Sequence, residues 1–148
     1  MTRSEFLETV RRNPFNRVIL ERLPSLGLRD CWLVSGALFQ TVWNTRTGQR
    51  PDLHIKDYDV FYFDPDTSYA AEDAAIKRAG DLLADLGIAV ELRNQARVHL
   101  WYQEKFGSPY PPLTCSTDGI DHFLMHNAQV GIRASEGETE VYAPRGFD

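Results

Sequence analysis

Two aspartates stand one residue apart, Asp57 and Asp59, inside the run KDYDVFYFD at residues 56–64. Tyr, Val and Phe are strand formers, and the run has the length of a strand. Residues i and i+2 of a strand share a face, so the two carboxylates point the same way, with Cα atoms about 6.5–7 Å apart. Carboxylates so placed repel each other unless positive charge sits between them. A divalent cation answers that need, because hard cations take oxygen ligands. Spacing alone fits a metal site and a solvated strand end equally well.

Two further features bear on that choice. Glu91 lies mid-run in IAVEL, residues 88–92. Glutamate between apolar neighbours in a buried strand is costly unless paired or metal-bound, although an edge strand could turn it to solvent. Upstream, Ser35-Gly36 ends the apolar run 31–34 and precedes a helix-like segment, residues 37–43. Glycine lets a ligand approach the backbone, and the first amides of a helix favour phosphate. An ordinary turn is the alternative there. Lys56, beside the aspartates, offsets their charge or touches phosphate.

The elements that must position these residues follow from local signals. Thr2 with Glu5 resembles a capping box, predicting a helix over 4–12. Asn13-Pro14 reads as N-cap and first helical position of a second helix, with Phe15, Val18, Ile19 and Leu23 on its apolar face. Pro24 and Gly27 stop it. Residues 31–34 read as a buried strand and 44–53 as a loop. A long helix over 69–86 carries Ile76, Ala79, Leu82, Leu83 and Leu86 as its stripe, with Gly87 as its stop. A strand over 88–92 follows. Residues 94–106 lean to helix, with Val98, Trp101, Tyr102 and Phe106 on one face. Ser116 or Thr117 caps a short helix through Met125. Strands at 130–133 and 140–142 are joined by the turn 135–138. Trp32, Trp43 and Trp101 read as core residues. The order predicts an α/β (α+β) fold, a mixed sheet flanked by helices.

Composition sets outer limits. The chain has 148 residues, 43% hydrophobic and 25% charged, enough for one domain with a real core. Its expected organisation is N-terminal helices at 1–28, a motif-bearing core at 29–93 and a C-terminal part at 94–148. A net charge of −5 argues against a protein held to nucleic acid mainly by charge. No apolar run approaches the roughly 20 residues of a membrane span, and the N-terminus has no apolar signal segment. Cys31 and Cys115 lie far apart and read as free thiols of a reducing compartment. Cytoplasm is the expected location. His122 and His126, i and i+4 on an expected helix, lack a third ligand for zinc.

A glycine junction, a helix, an Asp-x-Asp strand, a helix and an acidic strand resemble the DNA-polymerase-beta-like nucleotidyltransferase superfamily. The corresponding residues are Val34-Ser35-Gly36-Ala37, Asp57-Tyr58-Asp59 and Glu91. Four blocks are similar to a family of small, largely uncharacterised bacterial nucleotidyltransferase-like proteins within it. They are GA…TVWN (36–44), DYDVFYFD (57–64), NQARVH (94–99) and VYAP (141–144).

That resemblance implies a minimal nucleotidyltransferase fold and a two-metal transfer of a nucleoside monophosphate from an NTP to an acceptor. Asp57, Asp59 and Glu91 would hold Mg²⁺ or Mn²⁺, and Glu91 would help deprotonate the acceptor hydroxyl. Ser35, Gly36, Ala37, Lys56 and Arg97 would bind the nucleotide, with His99 near the acceptor. The acceptor is a protein, an RNA or a small molecule. Ala37 departs from the pattern, which has Gly or Ser there. The family is expected to continue beyond the C-terminal block, so a truncated terminus is an expectation as well. A non-catalytic binding or regulatory module of the same fold is the alternative reading. A two-metal phosphohydrolase or nuclease needs similar carboxylates.

Overall fold

The computed structural model describes residues 1–148 apart from Leu124, Glu136 and Asp148. The capping box forms as the sequence predicts. Thr2 Oγ1 accepts the Glu5 amide while Glu5 accepts the Thr2 amide, opening helix α1 (Arg3–Val10). Asn13 caps helix α2 (Pro14–Arg22) by accepting the Phe15 amide. A 3₁₀ turn, Leu23–Leu26, carries the chain over Pro24 to Gly27, whose φ of 65° suits a residue without Cβ.

Strand β1 (Trp32–Val34) leads directly into helix α3 (Gly36–Arg46). Strand β2 (Asp57–Tyr62) follows, then helix α4 (Tyr69–Leu83), capped by Ser68. After Gly87 come strand β3 (Ala89–Asn94), helices α5 (Val98–Phe106) and α6 (Ser116–Asp121), and the hairpin β4 (Gly131–Ser135) and β5 (Glu138–Tyr142). The five strands form one sheet in the order β3-β2-β1-β4-β5. Among the described residues, only β2 and β3 run parallel. Their crossover passes through α4, as parallel neighbours require.

Alternation gives the sheet two different faces. Leu33, Tyr58, Val60, Tyr62, Leu92 and Ile132 point to the larger core, where helices α1 to α4 meet them. Each such buried aliphatic side chain contributes about 1.5–3 kcal/mol. Trp32 and Val34 point the other way, to a smaller cluster closed by Ile120 of α6 with Phe61, Phe123 and Tyr142. Asp57 and Asp59 share this second face with Phe61.

Behind β2 lies a buried polar knot. Asn13 Nδ2 donates to Tyr58 Oη at 3.0 Å and Thr41 Oγ1 at 3.3 Å. Asn16 Nδ2 donates to Thr41 Oγ1 at 3.1 Å and to the Val10 carbonyl at 3.0 Å. These bonds tie α2 to α1, α3 and β2. Of the face expected for α2, Ile19 and Leu23 are buried while Phe15 and Val18 are partly so, and Asn16 and Leu20 join the buried side. Two other expectations shift. Trp43 is 61% exposed rather than core. Helix α6 is capped at Cys115 and ends at Asp121, so His122 and His126 are not one turn apart on a helix. The segment expected to continue through Met125 includes Leu124, and the turn 135–138 includes Glu136, both outside the described residues.

Asn13→Ala removes a helix cap and a donor to Tyr58 and Thr41. The expected cost is about 2 kcal/mol. Thermal unfolding should show a midpoint lower by roughly 4–8 °C.

Candidate functional site

Strand register brings the carboxylates together. Asp59 is level with Val34 of β1 on one side and with Glu91 of β3 on the other. Asp57 lies two residues along the same face, level with Ala89. Asp57 and Glu91 are exposed, and Asp59 is partly buried. β3 is an edge strand, so Glu91 faces outward from an edge instead of sitting in a buried strand.

Like charge gathers at Asp59. Burial, then Glu91, then Asp57 push its carboxyl up to about 6, and Arg93 opposes them. Arg93 follows Glu91 by two residues, so it lies on the same strand face, level with Phe61. The sequence reading passed over it, although i+2 spacing from Glu91 carries the signal. Among the described residues, no three Asp, Glu, His or Cys side chains close into a cage for a metal. The donor set nonetheless has the chemistry of a Mg²⁺ site, which keeps waters and shares its shell with substrate phosphates. Burial is the largest cause of the raised carboxyl of Asp59, and the part due to Glu91 and Asp57 is repulsion that a cation would relieve.

The junction beside them has unusual backbone. Ser35 has φ 58° and ψ −122°, a conformation costly for a residue with a Cβ. Its amide is anchored to the Val130 carbonyl at 2.9 Å, and its side chain caps no amide of α3. The sharp turn lets α3 start immediately after β1. Val34, the last residue of β1, is level with Asp59, and Ser35 and Gly36 follow directly, so the helix start adjoins the acidic end of β2. A Cβ built on Gly36 would meet nothing within 4 Å, so packing leaves the backbone open to a ligand here. Ala37 is buried and supplies no hydroxyl. Lys56 is exposed immediately before β2.

Arg97 is not brought to this site. It lies beyond the far end of β3, where Nη1 pairs with Glu72 at 2.6 Å and Nε donates to the Thr67 carbonyl at 2.8 Å. Glu72 also accepts the Asn94 amide at 2.9 Å. Arg97 is therefore a structural clasp between β3 and α4, because a buried carboxylate such as Glu72 needs a cation. His99 lies further on, in the first turn of α5. The cysteines are free, with burial pushing the Cys31 thiol up to about 12.

The sheet order, the open helix start and the acidic face define the class. The chain belongs to a nucleotidyltransferase family, whose model matches residues 21–148. Among solved structures it is similar to one described as an NMR structure that reveals a CCA-adding enzyme head domain. Identity is 32%, the TM-score is 0.77, and the match covers 98% of this chain and 73% of that one. No curated protein matches the chain. Family and fold together support nucleotidyl transfer as the general function. No helix among the described residues is long and apolar enough to cross a membrane.

The electrostatics of Asp59 give a signed expectation. Its native carboxyl is raised from 3.8 to about 6, so the native state binds more protons than the unfolded chain between those values. Stability therefore falls as pH rises through that window. Asp59→Asn should raise the thermal midpoint at pH 8, and the gain should vanish near pH 4. A gain independent of pH would contradict the repulsion.

Proposed function

We propose that the chain transfers a nucleoside monophosphate from an NTP to the hydroxyl of an acceptor, with Mg²⁺ or Mn²⁺ held by Asp57, Asp59 and Glu91. The observation that carries this reading is the shared face of those carboxylates, at the end of the sheet where Ser35-Gly36 opens α3. Divalent metal at this position would neutralise charge on the attacking and leaving oxygens of an in-line displacement.

The chain's own residues account for the rest. The amide of Gly36 opens a helix and has no partner within it, so it suits the outer phosphates of the triphosphate, whereas Ala37 is buried. Lys56 adds a cation. Asp57 and Asp59 would position the polyphosphate through the divalent metal they hold, since the carboxylates alone would repel it. Glu91, on the open edge, accepts the proton of the acceptor hydroxyl. The acceptor oxygen then bonds to the α-phosphorus, the bond from that phosphorus to the β-phosphate oxygen breaks, and pyrophosphate leaves. Protein, RNA and small-molecule hydroxyls all satisfy that chemistry. A cytoplasmic setting is consistent with free thiols.

A second reading rests on Ala37 and on the open arrangement of the carboxylates. The fold would then bind a nucleotide as a regulatory module without transferring it.

Calorimetric titration with Mg²⁺–NTP should show binding that is lost in the Asp57→Ala, Asp59→Ala double variant. Equal binding by the variant would remove the carboxylates from the site. Transfer of label from α-labelled NTP to an acceptor panel separates enzyme from module. Gly36→Ala should weaken NTP binding at least about threefold with little change in thermal midpoint, because the added Cβ meets no protein atom within 4 Å and lies where phosphate would approach.

A further inference from the structure

Helix α5 packs poorly for an apolar helix. Among its residues only Val98 is buried, while Leu100 and Phe106 are 53% and 55% exposed. Trp101 is half-buried, and Lys105 Nζ lies 5.7 Å from the centre of its ring and 5.4 Å from that of Phe106. Between this helix and β3 runs an open groove of about 490 Å³, lined by Glu72, Arg93, Trp101, Glu104 and Lys105. The charges in it are not equivalent. Glu72 is already consumed by Arg97 and the Asn94 amide. Arg93 is different: its side chain makes one hydrogen bond, to the Leu92 carbonyl at 2.9 Å.

Arg93 connects the groove to the candidate site. It shares the strand face of Glu91 and Asp59, and its charge reaches Asp59. Asp57, Asp59, Glu91 and Arg93 share one strand face, and Arg93 also lines the groove with Trp101, so that face leads to the groove. A nucleotide laid along that face, with its outer phosphates at the helix start and its α-phosphate at the carboxylates, carries its nucleoside towards the groove. Aromatic side chains stack on the face of any base, and adjacent cations favour an anionic ligand.

We propose that the groove between Arg93 and Trp101 receives the base and ribose of the nucleoside triphosphate, with Trp101 as the stacking face and Arg93 and Lys105 as the flanking cations. The assignment rests on the nucleotidyl-transfer reading. It makes base contact sequence-tolerant, since a stacking face reads no hydrogen-bond pattern.

The test compares two ligands by calorimetry on the whole chain: Mg²⁺–ATP, and Mg²⁺–tripolyphosphate, which lacks base and ribose. Trp101→Ala should weaken ATP at least about tenfold and leave tripolyphosphate unchanged. Trp101→Phe, which keeps an aromatic face, should retain most of the ATP affinity. Thermal melts confirm that both variants fold. Wild-type protein that binds the two ligands equally, or a Trp101→Ala variant that leaves their ratio unaltered, overturns the groove and leaves the phosphate site standing. Wild-type protein that binds neither overturns the transfer reading and this one together.

Discussion

Everything at the acidic end depends on one row of the sheet, in which Val34, Asp59 and Glu91 stand side by side. Three strands must keep that register, because a slip of one residue would turn the aspartates into the core. Repulsion between the carboxylates pushes against the row. What holds it is the opposite face, where Tyr58, Val60 and Leu92 are buried against helices. Apolar burial on one side therefore supports unfavourable charge on the other. The polar knot of Asn13, Asn16, Thr41 and Tyr58 reinforces this from behind, clamping β2 to α2 and α3.

The junction at Ser35 is the second constraint. A strand of three residues cannot deliver a helix to its own end without a sharp reversal, and the positive φ of Ser35 provides it. The strain is sustained by a backbone bond to Val130, at the entry to β4. Residues near the end of the chain thus fix the geometry of a turn near its beginning. Gly36, freed from packing, is left as open backbone at the end of β1.

Much of this was legible in the sequence, and the reasons are local. Capping at Thr2 and Asn13 depends on short-range chemistry, and it formed as read. The face shared by Asp57 and Asp59 follows from strand periodicity alone. What could not be read was pairing. Arg97 looked like a phosphate ligand because the resemblance placed it there, but only the fold shows Glu72 buried and in need of it. Asn16 stood out in no sequence pattern, and it is the centre of a buried network. Glu91 could not be assigned to an edge strand until the strand order was known. Trp43 read as core because tryptophan usually is, whereas α3 turns it outward.

Strand order also carries a consequence for how the chain matures. β1 lies at the middle of the sheet, yet one of its partners, β4, is about a hundred residues away along the chain, a long loop to close before the contact rewards it. During synthesis, at about 5–20 residues per second, β1 waits for roughly 5–20 s with one edge unpaired. An unpaired strand edge is a template for association with other chains. The brevity of β1 shortens that template, and the capped helices α1 and α2, made first and stabilised locally, give its core face early cover. The last hairpin to emerge is therefore the one that seals the centre.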